Sequence, residues 1–298
     1  MSFTIATTVE EALAAIAAGA RPIAGGTDLV VGARHGKAPL PADLVAIDRI
    51  AELREVALSA DGITLGAAVS HHTIESHTAI AASWSALADG SALVGSPATR
   101  HVGTIGGNVM NASPAMDTGA ALLALGAEAE MRSIAGSRRV PIGQLWIGPG
   151  RTSARPDELC VAIHLPSPAP HTGSAYLRLE YRRAMEIAVC GAAAAVTLAA
   201  DGSVADVRIA LSAVAPTILA VTGLEALAGG SVAEVAAAVA IAASAQATPI
   251  SDVRATDRYR RHTVGVMARR AVDAAARRAA GETIAVPVNR TVGIGAAS

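Results

Sequence analysis

The chain has 298 residues, of which 52% are hydrophobic but only 2% aromatic, and its formal net charge is −1. This length provides for two or three domains, whose cores must be built mainly from Ala, Val, Leu and Ile. A nearly neutral chain has no electrostatic footprint for nucleic acid or an anionic membrane, and its longest apolar run, 187–200, is shorter than the roughly 20 residues of a transmembrane helix.

The cysteines and the N-terminal residues limit the kinds of cofactor site and the cellular location that the sequence allows. Cys160 and Cys190 are too few and too isolated for a disulfide framework, a zinc site or an iron–sulfur cluster, so any electron carrier is not ligated by the protein's own thiolates. The first residues lack the basic segment of a secretory signal and lead to Glu10 and Glu11. We therefore expect a cytoplasmic protein with no transmembrane segment.

The N-terminal segment predicts a helix, a strand and a glycine loop. Thr7 and Thr8 each have a glutamate three residues on, which is the capping-box pattern, and the helix is expected to end at Gly19. A short strand over 21–24 leads into the first glycine loop, Ala24–Gly25–Gly26–Thr27–Asp28–Leu29. This loop fits neither the Rossmann fingerprint nor the Walker A pattern, so any nucleotide here binds by another architecture.

Two strands and three histidines follow. Residues 44–47 and 62–67 predict strands. His71, His72 and His77 raise the question of a metal site, but no Asp, Glu or Cys lies at a matching ligand spacing. We interpret them as capping or solvent-exposed residues at the start of a helix over 73–82.

A second glycine loop occupies 100–117 and shows no helical or alternating pattern. Gly103, Gly106 and Gly107 permit positive φ and close backbone approach, and Pro114 stops any helix from running through. N–H groups turned inward by glycines bind anions without Lys or Arg, and the segment enters a helix at Asp117. The alternative is an ordinary surface loop with a glycine turn.

A helix over 119–125 and strands over 127–131 and 157–163 come next, and the prolines of 166–173 mark a domain boundary. Beyond it, three antiparallel strands are predicted over 176–181, 187–199 and 204–215.

Two helices close the chain. A capping box at Ser231 begins one, and the other spans 256–280. The last helix carries arginine pairs at 260–261, 269–270 and 277–278. In a nearly neutral chain we interpret them as a solvated face or a subunit contact rather than a nucleic-acid surface.

The two glycine loops together resemble the flavin-binding motifs in the FAD subunits of molybdenum hydroxylases. This is the xanthine dehydrogenase family, which includes the medium subunits of aerobic carbon monoxide dehydrogenase. The likeness continues through 182–188, 210–217, 249–255 and 259–261. Glu186 stands where the family most often has Asp, and we interpret it as structural, paired with an arginine.

The resemblance implies an α+β fold. The expected FAD-binding module is of the vanillyl-alcohol-oxidase (PCMH) type in two subdomains, followed by a C-terminal domain with a three-stranded antiparallel sheet and helices. We place the first subdomain at 1–58, the second at 59–170, the C-terminal domain at 171–282 and a tail at 283–298.

The resemblance also implies partners. A large chain would bind molybdopterin and hydroxylate the substrate, and a small chain would carry two [2Fe–2S] clusters. This chain would hold FAD, accept electrons from the clusters and pass them to an external acceptor, in a dimer of heterotrimers.

The cofactor contacts implied are Ala24, Gly25, Gly26, Thr27, Asp28, Leu29, Thr104, Gly106, Gly107, Asn108, Asn111, Ser113, Asp117, Tyr176 and Arg178. Backbone N–H groups of both loops would hold the pyrophosphate, with the Thr27 and Thr104 hydroxyls as further donors. Tyr176 would lie beside the isoalloxazine; the alternative is a core residue with its hydroxyl satisfied at the strand edge. No catalytic acid, base or nucleophile and no metal ligand is expected, because flavin chemistry belongs to the cofactor.

Two other functions remain open on the sequence. One is a stand-alone FAD-dependent oxidoreductase of the same fold. The other is an assembly subunit that has lost FAD, against which the intact glycine loops argue.

Overall fold

The computed structural model describes residues 2–36 and 38–292. The strands of this part of the chain are β1 (Ser2–Ile5), β2 (Arg21–Ile23), β3 (Asp43–Ala46), β4 (Val56–Ser59), β5 (Gly62–Gly66), β6 (Glu128–Ser133), β7 (Gly136–Pro141), β8 (Trp146–Gly148), β9 (Arg151–Thr152), β10 (Leu159–Pro166), β11 (Thr172–Leu179), β12 (Cys190–Leu198), β13 (Val204–Ser212) and β14 (Leu219–Ala220). Its α-helices are α1 (Val9–Ala17), α2 (Leu29–Arg34), α3 (His71–Ser76), α4 (Thr78–Ser83), α5 (Ser85–Leu93), α6 (Pro97–Val102), α7 (Ile105–Asn111), α8 (Asp117–Ala124), α9 (Ile142–Leu145), α10 (Val232–Gln246), α11 (Asp257–Ala279) and α12 (Asn289–Val292). The mixture of helices and sheets confirms the predicted α+β class.

The N-terminal unit is a small parallel sheet in the order β1-β3-β2, with α1 packed beside it. The Thr8 hydroxyl accepts a hydrogen bond from the Glu11 N–H, and the Glu11 carboxylate accepts from the Thr7 N–H at 2.7 Å. The predicted helix start is therefore confirmed. Leu13 and Ile16 are buried in one cluster with Val45 of β3, which fixes the helix on the sheet.

The middle unit is a five-stranded antiparallel sheet in the order β4-β5-β10-β6-β7. Ile63, Leu65 and Ile163 of this sheet share one buried cluster with Leu87 of α5 and Leu122 of α8. Ile105 and Val109 of α7 lie in the same cluster, so the helix within the second glycine-rich segment packs on this sheet. The remaining short strands, β8 and β9, pair with each other.

The C-terminal sheet is buried on both faces. On β12, Ala193 faces the cluster that contains α5 and α8, while Ala192 and Ala194 face the cluster that contains α10 and α11. Since neighbouring strand residues point to opposite faces, a strand packed on both sides must be apolar throughout. This accounts for the run of alanines that sequence analysis interpreted as a buried strand.

The C-terminal sheet has four strands, in the order β11-β12-β13-β14, where three were predicted. The extra strand, β14, has two residues, Leu219 and Ala220, which pair with Leu211 and Ala210. A two-residue strand is too short to show the alternation on which the prediction relied.

Other predicted boundaries also change. The helix expected over 73–82 is two helices, because the chain is extended at His77. The strand expected over 204–215 ends at Ser212, because Ala213 has φ of 61° and turns the chain. Ile187, predicted to be buried, is 49% exposed, and the strand begins only at Cys190.

The predicted domain division stays a prediction. The boundary at residue 58 falls inside β4, and that at 170 falls between β10 and β11. Residues 293–298 of the predicted tail lie outside the described residues. No helix among the described residues is both long and apolar enough to span a bilayer.

A buried ion pair joins α5 to α11. Two guanidinium nitrogens of Arg278 donate to the Asp89 carboxylate at 2.6 and 3.1 Å, and the N–H groups of Tyr176 and Val288 donate to it as well. Burial raises the pKa of Asp89, and the Arg278 guanidinium opposes that rise. The pair 277–278 was predicted to lie on a solvated face or at a subunit contact. That is wrong for Arg278, which is turned into the protein, whereas Arg277 is exposed and pairs with Glu282.

We expect Arg278→Met to destabilise the protein by about 3–5 kcal/mol, because removing one partner of a buried ion pair leaves the other charge uncompensated. Urea unfolding followed by circular dichroism measures the loss. The neighbouring Arg277→Met is the control and should change stability little, since its ion pair is exposed. Equal effects of the two substitutions would contradict the conclusion that the buried Asp89–Arg278 ion pair stabilises the fold.

Candidate functional site

The two glycine loops meet through their backbones. A Cβ atom on Gly25 would lie 1.9 Å from the Val102 carbonyl oxygen and 3.2 Å from the Gly103 nitrogen. The Thr27 hydroxyl lies 3.5 Å from the position of a Cβ on Gly103. Only glycine at position 25 permits this approach, so the structure brings together two motifs that are far apart in the sequence.

The first glycine loop presents unused backbone donors. Within the described part of the chain, the N–H groups of Gly25, Gly26, Thr27 and Leu29 donate no hydrogen bond to another backbone or side-chain group. Gly26 has φ of 67°, which turns the chain just before α2. Consecutive free N–H groups at such a turn form an anion-binding concavity. Ala24 packs against the N-terminal core and Asp28 is exposed.

The second glycine loop is largely helical, so the expectation of an irregular segment is wrong. The helices α6 and α7 flank Gly103 and Thr104, and α7 ends where Ala112 adopts a left-handed conformation, two residues before Pro114. Short polar residues and glycines mask the helical period, which is why the pattern was missed. The helix predicted at Asp117 is confirmed as α8.

The glycines of this loop are needed because other groups lie close to their Cα atoms, not because they adopt a positive φ. Gly103, Gly106 and Gly107 all have negative or otherwise unstrained φ, and a Cβ on Gly106 would lie 2.5 Å from the Ala67 Cβ. The Gly106 N–H donates to the Ala67 carbonyl at 2.9 Å, and the Gly107 N–H donates to the Thr104 hydroxyl at 3.1 Å. Both N–H groups thus have partners within the chain, and their part in binding an anion stays a prediction. The first loop holds backbone donors that are unpaired among the described residues.

Several polar groups remain available around α7. The Thr104 hydroxyl accepts from Gly107 and keeps its own proton to donate. Asn108 accepts from the Thr118 hydroxyl at 2.6 Å, and its amide NH₂ has no partner among the described residues. Gly107 is exposed and Asn111 and Ser113 are half-buried, with the Ser113 hydroxyl accepting from the Ala115 N–H.

Asp117, Tyr176 and Arg178 also come together, but in the protein interior. The Tyr176 hydroxyl donates to the Asp117 carboxylate at 2.9 Å, and the Arg178 guanidinium donates to it at 2.6 Å. Tyr176 and Arg178 are 0% and 1% exposed. Tyr176 thus occupies the position of a core residue, the alternative stated for it, and the role of these three residues as cofactor contacts stays a prediction.

In this buried network the Tyr176 hydroxyl keeps its proton. Burial and the neighbouring Asp117 carboxylate raise the pKa of Tyr176 well above 10, so the phenol remains a donor. Burial also raises the pKa of Asp117, while the guanidinium of Arg178 acts against the rise. We assign an ionised Asp117 between a cation and a phenol, which ties α8 to β11.

His71 is a residue whose position the sequence did not reveal. It was expected at a helix cap or in solvent, yet it is 1% exposed. Its backbone N–H donates to the Gly103 carbonyl at 3.1 Å, and its ring Nδ1 has no partner among the described residues. Burial, with a smaller contribution from Arg100, lowers the pKa of His71 to about 4. A neutral ring therefore supports the second glycine loop from below.

The other histidines do not form a metal site with it. His72 stacks on His101 at 3.8 Å between ring centres. Its Nδ1 donates to the Glu75 carboxylate, which also accepts from Arg100. No group of three or more His, Cys, Asp or Glu side chains in residues 2–36 and 38–292 is placed to hold a metal ion.

Two family models match the chain. The FAD binding domain in molybdopterin dehydrogenase matches residues 1–168, and the CO dehydrogenase flavoprotein C-terminal domain matches residues 175–275.

Named relatives cover most of the chain. The xanthine dehydrogenase FAD-binding subunit of Escherichia coli is 31% identical over 267 residues, which make up 88% of this chain and 91% of that protein. The carbon monoxide dehydrogenase medium chain of Afipia carboxidovorans is 33% identical over 262 residues, or 87% of this chain and 90% of that protein. A chain in the solved carbon monoxide dehydrogenase of Hydrogenophaga pseudoflava has a TM-score of 0.88 at 31% identity, covering 93% of this chain and 98% of its own length.

We expect His71→Leu to flatten the dependence of stability on pH between about 6.5 and 4. The buried ring has a pKa of about 4, against an ordinary value of 6.5, so the unfolded chain binds a proton that the folded chain does not. Stability of the wild type should therefore fall by about 3 kcal/mol as the pH falls through this window. Denaturant unfolding at several pH values measures the slope.

The adjacent His72→Leu is the matched control: it removes a partly exposed histidine and leaves the buried ring of His71 in place, so the fall in stability should remain. The readout is the change with pH rather than the absolute stability, which the loss of a buried side chain also affects. A variant at position 71 with the wild-type slope would contradict the neutral buried histidine.

Proposed function

This chain belongs to the family of FAD-binding subunits of molybdopterin dehydrogenases, as its resemblance predicted, and we propose that it is the FAD-carrying subunit of a three-chain molybdenum hydroxylase. In this role it accepts electrons from the [2Fe–2S] clusters of a small partner chain and passes them to an external acceptor. A large partner chain holds the molybdopterin cofactor. The proposal includes a cytoplasmic dimer of such heterotrimers.

The observation that carries the proposal is the backbone contact between the two glycine loops. It places the free N–H groups of Gly25, Gly26 and Thr27 beside the hydroxyl-bearing start of α7. Unpaired backbone donors next to an exposed glycine are the features that a diphosphate requires. The residues present therefore fit FAD, with the first loop as the principal anion site.

Each group has a defined task. The N–H groups of the first loop donate to diphosphate oxygens, and the Thr27 and Thr104 hydroxyls add charge-assisted hydrogen bonds. The Asn108 amide is placed to donate to a phosphate or ribityl oxygen. Arg100, the one arginine of the second loop, is already paired with Glu75, so peptide dipoles balance the diphosphate charge.

Bound FAD supplies the redox chemistry, because it exchanges electrons one or two at a time. The protein's own thiols do not substitute for it. Burial raises the pKa of Cys160 to about 12 and that of Cys190 to about 11, so both remain protonated. The chain's contribution is to bind and orient the cofactor and to limit access to it.

Flavin reduction by a partner tests the function directly. When the flavin-loaded chain is mixed with a chemically reduced two-cluster [2Fe–2S] chain in a stopped-flow spectrometer, we expect the visible flavin band to bleach. The chain alone, mixed with the organic substrate of the complex, should keep that band. Bleaching by substrate in the absence of both partner chains would instead establish a stand-alone oxidoreductase.

The cofactor site itself is tested by Gly107→Val. The new side chain would fill the exposed face beside the Thr104 hydroxyl, which lies 2.9 Å from the Cβ position, and should weaken FAD retention at least about tenfold. Flavin released from a known amount of protein measures the effect, and circular dichroism checks the fold.

Gly143→Val is the matched control. Gly143 is also an exposed helical glycine, and a Cβ there has one neighbour, a Leu123 methyl, at 3.0 Å. We expect its FAD content to equal that of the wild type. Equal FAD content in both variants would show that Gly107 is not part of the cofactor site.

A further inference from the structure

Six large apolar side chains project from two neighbouring loops and the start of α11. The β11–β12 loop carries Tyr181, Met185 and Ile187; the α10–α11 loop carries Ile250 and Val253; and Tyr259 lies in the first turn of α11. We call these six residues the loop patch. Each is at least 44% exposed, and Val253 is 99% exposed. Single exposed apolar residues are ordinary, but a continuous group marks an interaction surface.

Hydrogen bonds show that the two loops adjoin. The Tyr181 hydroxyl donates to the Arg254 carbonyl oxygen at 2.7 Å. At the end of the first loop, the Cys190 sulfur lies 3.4 Å from the Thr263 hydroxyl, and that hydroxyl donates to the Tyr259 carbonyl oxygen at 2.8 Å. The two loops that carry the loop patch are therefore neighbours in the structure.

The Met185 end of the loop patch borders the cofactor site. The Met185 N–H donates to the Gly95 carbonyl at 2.9 Å, and its sulfur accepts from the Thr99 hydroxyl at 3.9 Å. The Thr99 carbonyl in turn accepts from the Gly103 N–H at 2.7 Å, within the second glycine loop. A protein seated on the loop patch would lie directly against this site.

The surroundings of the loop patch are cationic. Arg260 is buried and Glu180 pairs with the buried Arg178. Without these two, segments 180–187 and 250–261 hold five arginines and three carboxylates, in a chain whose overall charge is −1. Some of these charges pair locally, as Arg182 does with Glu186 and Arg254 with Asp252. The excess of two positive charges suits a partner with an acidic rim.

We propose that the loop patch is the docking surface for the [2Fe–2S] partner chain, which presents an apolar centre with an acidic rim to it. This inference rests on the proposed function. Electron transfer slows steeply with distance, so the chain that delivers electrons must bind where the cofactor site is close. The loop patch meets that requirement, and an apolar centre with a charged rim is the usual anatomy of a protein interface.

The test compares two isoleucines in the full-length chain. Ile250 of the loop patch is 69% exposed, and Ile134, in the β6–β7 turn, is 70% exposed. The probe is the purified two-cluster [2Fe–2S] chain, and its dissociation constant is measured by titration calorimetry. We expect Ile250→Asp to weaken binding at least tenfold and Ile134→Asp to leave it unchanged, with wild-type FAD content in both.

A second variant and a salt series complete the experiment. Val253→Asp should weaken binding in the same direction, because Val253 has no buried contacts to lose. Binding of the wild type should weaken as ionic strength rises, as expected for complementary charges.

The opposing outcomes are distinct. Unchanged binding by Ile250→Asp and Val253→Asp would overturn the docking surface and leave the proposed function standing, provided that the reduced partner still bleaches the flavin. Loss of FAD from these variants with unchanged partner binding would show that the cofactor covers the surface. If the wild type is a homodimer on gel filtration and the two variants are monomers with unchanged partner binding, the loop patch would be assigned to contact with a second copy of this chain. A wild-type chain that neither binds the partner nor is reduced by it would overturn both proposals.

Discussion

The contact between Gly25 and the Val102 backbone sets the geometry of the cofactor site. No side chain mediates it: a carbonyl oxygen occupies the space where any other residue would carry a Cβ. Because the contact is made by backbone alone, it fixes the relative position of the two loops without the rotamer freedom of side chains. The free donors of the first loop and the hydroxyl groups of the second can then face one ligand.

Two buried carboxylates stabilise the framework behind these loops. Asp89 of α5 receives Arg278 of α11, and Asp117 of α8 receives Arg178 and Tyr176 of β11. In both, a helix of the cofactor-binding half supplies the anion and the C-terminal half supplies the cation. Buried charges are costly when unpaired, so these pairs specify one arrangement of the two halves more than they add net stability.

Local signals made much of the fold predictable. The capping residues at Thr8, Ser231 and Thr256 mark the helix starts that the structure has. The strands predicted over 187–199 and 204–215 correspond to β12 and β13, the central strands of the last sheet. The resemblance to a known pair of motifs predicted that the two glycine loops act together. Their spacing in the sequence does not indicate that positions 25 and 102 are in contact.

What could not be predicted depends on contacts distant in sequence. Arg277 and Arg278 are identical neighbours, and only the presence of Asp89 on another helix decides which is buried. His71 and His72 differ in the same way, because the loop that covers one of them lies thirty residues downstream. The N–H groups of Gly106 and Gly107 look free in the sequence, but in the structure they donate to the Ala67 carbonyl and the Thr104 hydroxyl, which no local pattern indicates.

The alanine-rich strand β12 has a consequence for how such chains can be divided. One side of it completes the interior of the cofactor-binding half and the other side completes the interior of the helical half. A cut near residue 170 would strip a wall from the first half and leave apolar helices open to water. The two family models meet near residue 170, yet β12 contributes buried side chains to the cores on both of its faces.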